Sequence, residues 1–454
     1  MGITEGLDVH GNAAVIIPKL MPGNGEPVNR IILFPTTDPE KVLSAMNPAS
    51  VQNGISSVQP HNTMPGFAAV TGHYVAFSID QQTLADFLAS KQSLSDALSA
   101  SDVNMIDAGD VGLYINVASI REPAEKAMDT NFANSMQMFQ AMGGAQNQKM
   151  IDQAQFGLAI DKMIIHEVLD DVKTGVATIT ISDDGISIDM DHQFESGTPL
   201  ADFVTDSKPL GDKPFAGLPD ISPTMAVSIN MSGGWLSELL KKWSDGLAND
   251  PNLKSNVQAQ QTAQQWNQAS QVYKLLHSQA TVISLSPTVK GFSLTTVDDP
   301  DQVLDLQRQI AQESVNTLAL QNNSMTGFNM SGQFTQNDLT VDNVSFDKFV
   351  FNITPSAQAS SNPGSVMATQ FLQNLLGPDG VTAYTGVQGN SLVSGINTSN
   401  DELQSAVEAA KNSTDAIDSD SSIVAAQQHV LPDASIVAYG QPSAIFEVLL
   451  NVFR

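Results

Sequence analysis

The sequence predicts an α+β protein of two related halves, each a largely antiparallel β-sheet backed by helices. Three observations carry this reading. Strand-like runs punctuated by Gly, Pro and Asn alternate with stretches whose apolar residues recur at helical spacing. Three segments of the first half return in the same order in the second. The chain has 454 residues, of which 41% are hydrophobic, which is too long for one simple core and enough for more than one.

In chain order, NRIILFP (Asn29 to Pro35) has the pattern of a buried strand, and a cap-like Asp38 with Pro39 then opens a helix. GFAAVTGHYVAFSID predicts two strands joined at Thr71-Gly72. Leu84, Phe87, Leu88 and Leu94 recur at helical spacing, and DVGLYINVASI returns to strand. From about Glu122 to Asp171 a Met-rich helical region follows, interrupted at Gly143-Gly144. TGVATITISDDGISIDMDHQF is then the strongest hairpin signal in the chain, turning at Asp184-Gly185. The hairpin is expected to extend the sheet of its half.

Residues 208–223 carry Pro and Gly and are expected to link a first half, 1–207, to a second, 224–454. Beyond them TMAVSINM predicts a strand, GGWLSELLKKWSDGL a helix, and Pro251 to Gln279 a second, Gln-rich helix. SMTGFNMSGQF and DLTVDNVSFDKFVFNI read as further strands. The repeat runs through this second half. KGFSLTTVDDPDQVLDLQ parallels RIILFPTTDPEKVLSAM, with Asp299-Pro300 in the place of Asp38-Pro39. VTAYTGVQGNSLVSGINTSNDELQSAV parallels GFAAVTGHYVAFSIDQQTLADFL, and LPDASIVAYGQPSAIF parallels AGDVGLYINVASI.

Composition narrows the function classes. Forty-eight Asp and Glu against twenty Lys and Arg give a net charge of -28, in a chain only 15% charged. That field repels nucleic acid and anionic membrane surfaces, which recruit partners through clustered Lys and Arg. Without Cys there is no disulfide, thiolate nucleophile or Cys-zinc site. No apolar run reaches the ~18 residues of a membrane-spanning helix. A polar surface made chiefly of Asn, Gln, Ser and Thr points to export, with MGITEGLDVHGNAAVIIP read as the chain that follows a removed leader. The expected location is secreted, periplasmic or at the cell surface.

GLDVHGNAAVIIP, ILFPTTDPEKVLSAM, GHYVAFSIDQQTL, DVGLYINVASIREPAEKAM and DDGISIDMDHQFESGTPLADF occur in one order. As a set they resemble a group of secreted bacterial proteins of unknown function abundant in planctomycetes and their relatives. The resemblance covers the first half directly and the second by way of the repeat. It implies export and an internally duplicated α+β architecture, and it carries over no catalytic residue.

Motifs for known chemistry are missing. The sequence has no G-x-S-x-G elbow, P-loop or G-x-G-x-x-G fingerprint. His166-Glu167 begins like a zincin helix, but Asp170 stands where the second His is needed. His73 lies at a turn with Asp80 available further along the strand as a carboxylate partner, and a turn residue is the preferred reading. Asp189 and Asp191 share one strand face opposite His192, where they could bind a cation, though a solvated outer face is the preferred reading. Asp298, Asp299 and Asp301 surround Pro300, which makes helix capping their reading. Calcium is the best ion hypothesis, at Asp415, Asp418 and Asp420 in one loop. Met128, Phe132, Met136 and Phe139 form a stripe for core packing, or for an apolar small molecule or protein partner. Trp235, Trp243 and Trp266 read as packing residues. The expectation is an exported, non-catalytic binding or envelope-associated protein. The alternatives are a structural subunit of a cell-surface or extracellular assembly, and a hydrolase whose centre is assembled from scattered Asp and His.

Overall fold

The computed structural model describes residues 5–18, 29–60, 65–90, 93–143, 148–182, 185–231, 234–285, 288–321, 328–355, 376–377, 380–428, 430–431 and 433–443. The fold is mixed α+β, and the strand pairings are antiparallel throughout. Two compact units form, Met1–Ser135 with Ile165–Phe194, and Met136–Ile164 with Glu195–Arg454.

The first unit begins with β1 (Ala14–Ile16), β2 (Ile31–Pro35), α1 (Pro39–Ala45), β3 (Pro48–Gln52), β4 (Ile55–Val58), β5 (Gly66–Thr71), β6 (Tyr74–Ser78) and α2 (Gln81–Ala89). Its strands make a six-stranded sheet in the order β1-β2-β6-β5-β4-β3. Asp38 starts α1 as predicted: its carboxylate accepts the Lys41 N–H at 3.2 Å, and Pro39 sets the first helical φ. Asp80 does the same for α2 through the Thr83 N–H at 2.7 Å. The pleat sends neighbouring residues to opposite faces. Ala68, Val75 and Phe77 pack with Val42 of α1 and with Met46 just beyond it, while Ala69, Ala76 and Ile31 pack with Leu84 of α2. Val42 and Leu84 are both fully buried, and each such side chain contributes about 1.5–3 kcal/mol by leaving water.

α3 (Leu94–Ala97), α4 (Ala100–Ala108), β7 (Val111–Asn116), α5 (Val117–Gly143), α6 (Gln148–Asp171), β8 (Val172–Ser182) and β9 (Gly185–Phe194) follow. The predicted hairpin is β8–β9, with Asp184 outside the described residues. It does not extend the six-stranded sheet as expected; it joins β7 in a separate three-stranded sheet, β7-β8-β9. A hairpin signal fixes only its own two strands, and the third is chosen by packing. Arg121 holds the α6–β8 junction. Its Nε donates to the Leu169 carbonyl at 2.6 Å and its Nη2 to the Asp170 carbonyl at 3.0 Å, capping the negative end of α6.

The second unit continues with α7 (Pro199–Asp206), β10 (Met225–Asn230), α8 (Trp235–Asn249), α9 (Val257–Tyr273), β11 (Leu276–Ser284), β12 (Lys290–Val297), α10 (Pro300–Gln321), β13 (Phe328–Val341), β14 (Val344–Pro355), β15 (Val381–Gln388), β16 (Ser391–Ile396), α11 (Asn400–Asn412), α12 (Ser421–Gln427) and β17 (Ile436–Gly440). Its eight strands run β13-β14-β15-β16-β12-β11-β10-β17. The helix expected over Pro251 to Gln279 ends at Tyr273, because Leu276–Ser284 pairs with both β10 and β12 and becomes a central strand. Residues 208–223 contain no helix or strand, and their Phe215 and Leu218 sit in the main core with Val282, Phe292, Phe346, Leu403 and Val407. A second cluster on the other sheet face joins Val297 and Leu392 to Val303 and Leu304 of α10.

Candidate functional site

The Asp loop splits its carboxylates among three separate tasks. Asp415 pairs with Lys213 at 2.6 Å, and that ammonium holds its carboxyl below the ordinary value. Asp418 is buried; one oxygen accepts the Phe215 N–H at 3.3 Å and the Gln427 amide at 3.2 Å, while burial pushes its carboxyl up. Asp420 caps α12 through the Ser422 N–H at 2.9 Å. Among the described residues no three carboxylates or imidazoles converge to hold a metal ion, this trio included. A lysine seated on the first carboxylate already supplies the positive charge that calcium would bring.

The helical stripe divides as well. Met128 is buried, Phe132 and Met136 are half-buried, and Met138 is 56% exposed. The Phe139 side chain lies outside the described residues. His166 approaches Glu125 at 3.2 Å across α5 and α6. At its turn His73 offers its backbone carbonyl to the Thr36 N–H at 2.8 Å, while Asp80 works at the far end of β6 as the α2 cap. Trp243 packs on Trp266 with ring centroids 5.7 Å apart, and Trp235 on Phe203 at 4.6 Å, in line with their reading as packing residues.

Two polar constellations are not legible in the sequence. In the second unit, Arg308 of α10 donates to both oxygens of the buried Asp347, at 2.6 and 3.2 Å, and to Asp305 at 2.9 Å. Asp347 also accepts the backbone N–H of Asn337 at 2.8 Å, where β13 bulges and φ is +52°. A cleft of about 340 Å³ opens here between Asp301, Leu304, Asp305, Arg308, Asn337, Ser345 and Val387. The guanidinium is spent on the two carboxylates, so the cleft clamps a bulge and presents no cation to an anionic ligand.

In the first unit, α4 lies against β7 and β8 and buries Asp102, which is 2% exposed. The Asp102 carboxylate accepts the Ser99 N–H at 2.9 Å and the Gln193 amide at 3.3 Å, and it shares a hydrogen bond with Asp191. Burial pushes Asp102 up, but the hydrogen bonds from Ser99, Asp191 and Gln193 together hold it below the ordinary carboxylate value. Asp191 goes the other way, raised by burial and then by Asp102. Within the pair Asp191 is therefore the carboxyl that takes up a proton first, and Asp102 the one that stays ionised to lower pH. Tyr114 is raised by burial and by the same carboxylate.

This pair corrects the solvated-face reading for Asp191 alone; Asp189, on the same side of β9, is exposed as expected. The face bearing Asp191 and Gln193, with Thr174, Val176 and Thr178 of β8, is the one covered by α4. Gly112 permits the approach, since a Cβ there would stand 3.0 Å from Ile106 of α4. The opposite face is apolar and open. Register aligns Val111, Ile179 and Ile188 across the three strands, and Leu113, Ala177 and Met190 beside them. Val111, Leu113, Ile179, Ile181, Ile188 and Met190 are 37–66% exposed.

Compared with protein-family models, curated proteins and solved structures, the chain finds no match in any of the three.

Proposed function

We propose that this is an exported, non-catalytic binding or envelope-associated protein that engages an apolar partner through the open face of the β7-β8-β9 sheet. The observation that carries the reading is the inversion of that sheet, which buries Thr174 and Thr178 on the α4 side and presents Val, Leu, Ile and Met to solvent. Those six side chains leave on the order of 600 Å² of apolar surface open, at the upper end of the largest patches on monomeric proteins. At ~25 cal/mol per Å², its burial represents roughly 15 kcal/mol of gross transfer free energy, as much as the net stability of a whole domain. The export component rests on the acidic, Lys- and Arg-poor composition and on the resemblance to secreted proteins.

The duplication belongs to the same reading, and several parallels support it. Sheet order β1-β2-β6-β5-β4-β3 matches β11-β12-β16-β15-β14-β13, strand for strand in chain order. Asp38 and Asp299 each accept the N–H three residues on, and Val42 and Val303 are both fully buried one turn later. Thr36 donates to the His73 carbonyl as Val297 donates to that of Asn390. The β3–β4 and β13–β14 hairpins each turn through two residues of positive φ, Asn53-Gly54 and Asp342-Asn343.

The test is titration of dilute protein with an apolar fluorescent dye. Ile188→Lys is expected to cut the enhancement several-fold with an unchanged melting temperature, since Ile188 is 59% exposed. Equal enhancement by the variant and the parent would remove this face as the binding surface.

A further inference from the structure

We infer that the partner seated on the open β7-β8-β9 face is a second copy of this chain, packed sheet on sheet about a two-fold axis; the inference rests on the reading of that face as a binding surface. Three features select this occupant. The central residues of the face, Val111, Leu113, Ala177, Ile179, Ile188 and Met190, carry no charge, although the chain as a whole is at -28. Two copies can therefore meet here without opposing like charges at the contact, whereas a basic partner would find no carboxylate to pair with. His192 stands on the same side at the margin, and the β9 carboxylates Asp189 and Asp191 alternate to the opposite side. An antiparallel face also matches itself: sheets stack ~10 Å apart with strands rotated by about 30°, and a two-fold axis places each patch on its own image.

Area supplies the third feature. Roughly 600 Å² from each copy gives a total near 1,200 Å², the lower bound for specific interfaces. That size fits a reversible dimer better than an obligate one. α4 packs on one side of the sheet, and the apolar side opposite it is left open for this contact.

The experiment is sedimentation velocity of the full chain from ~0.1 to ~100 μM, the span in which interfaces of threshold size dissociate, paired with the dye titration at each end. Ile188→Lys is compared with Val51→Lys, which adds the same charge at a 70%-exposed position of the other sheet. The expected result is a reversible dimer whose dissociation constant rises at least ~100-fold in Ile188→Lys, tenfold for each of its two copies. Val51→Lys should leave it unchanged, and dye binding should rise on dilution. A dimer indifferent to Ile188→Lys overturns the inference by placing the contact elsewhere. A monomer at every concentration that still binds dye through Ile188 also overturns it, and leaves the binding reading standing for a different apolar partner. A monomer that binds no dye removes both, and assigns the cover to another segment of the same chain.

Discussion

Removing the guanidinium from the second unit is the sharpest test of its packing. Arg308→Met keeps most of the stem and deletes the donors to Asp347 at 2.6 and 3.2 Å. The Asp347 side chain is only 5% exposed, and its remaining partner is one backbone N–H, that of Asn337. An uncompensated buried carboxylate costs about 3–5 kcal/mol. Protonation sets a ceiling: taking an acid of ordinary pKa ~3.9 neutral at pH 7 costs about 4 kcal/mol. The expected loss is therefore ~3–4 kcal/mol, or a fall of about 10 °C in melting temperature for a unit of this size. The double variant Arg308→Met, Asp347→Leu removes the charge and leaves the Asn337 N–H unpaired, which costs ~1–3 kcal/mol. It should be more stable than the single variant although it carries more changes. Urea unfolding of the three proteins decides the matter. A single variant within 1 kcal/mol of the parent, or a double variant less stable than the single, would refute the reasoning.

Three further expectations follow from the geometry. Asp191 is raised, so its protonated form stabilises the fold fully below the ordinary carboxylate pKa, and that contribution fades as pH rises through the raised value; Asp102 is lowered, and its contribution is present above the ordinary value and lost as pH falls through the lowered one. Asp191→Asn keeps a donor to Asp102 without ionising, so it should match the parent near pH 4 and exceed it by about 1 kcal/mol at pH 8; a pH-independent difference in urea midpoints would sink the shared-proton account. Gly217 has φ +86° and a Cβ there would lie 2.6 Å from Leu294, so Gly217→Ala should cost ~2–3 kcal/mol by the same assay, and a neutral result would show that the loop yields. Ser399→Ala breaks the capping box with Glu402 and should cost about 1 kcal/mol, read as a lower thermal midpoint.

Local chemistry was legible where one residue type does one job. Asp38-Pro39 and Asp299-Pro300 announce helix starts because the carboxylate and the fixed proline φ both act within one turn. The β3–β4 hairpin is not legible even though Asn53-Gly54 is a strong two-residue turn signal, because PASVQ is exposed along its whole length and shows no alternation. Asp342-Asn343 makes the same kind of turn without a glycine, and the run through it reads as one strand. LHSQATVIS follows a Gln-rich helix and carries His277, Gln279 and Thr281 at alternate positions; only its pairing on both sides makes it a central strand. Such pairings join segments far apart in the chain, which no local window contains.

The candidate surface shows a different limit. Period-2 alternation places Asp189 and Asp191 on one side of β9 and Ile188 and Met190 on the other, and that much the sequence states. It does not state which side a helix will cover, and the default puts the apolar side inward. The default fails here because α4 brings its own polar group. Asp102 closes a capping box with Ser99 and must then be buried with its remaining capacity satisfied, which Asp191 and Gln193 provide and Ile or Met would not. Once that network claims the polar face, geometry leaves the apolar face outward. A helix-capping acid that also bonds across to a strand thus fixes the sidedness of the sheet, and Asp102→Ala should loosen α4 from β8 and raise amide exchange in both, with the six-stranded sheet unaffected. Unchanged exchange in α4 and β8 would show that sidedness has another origin.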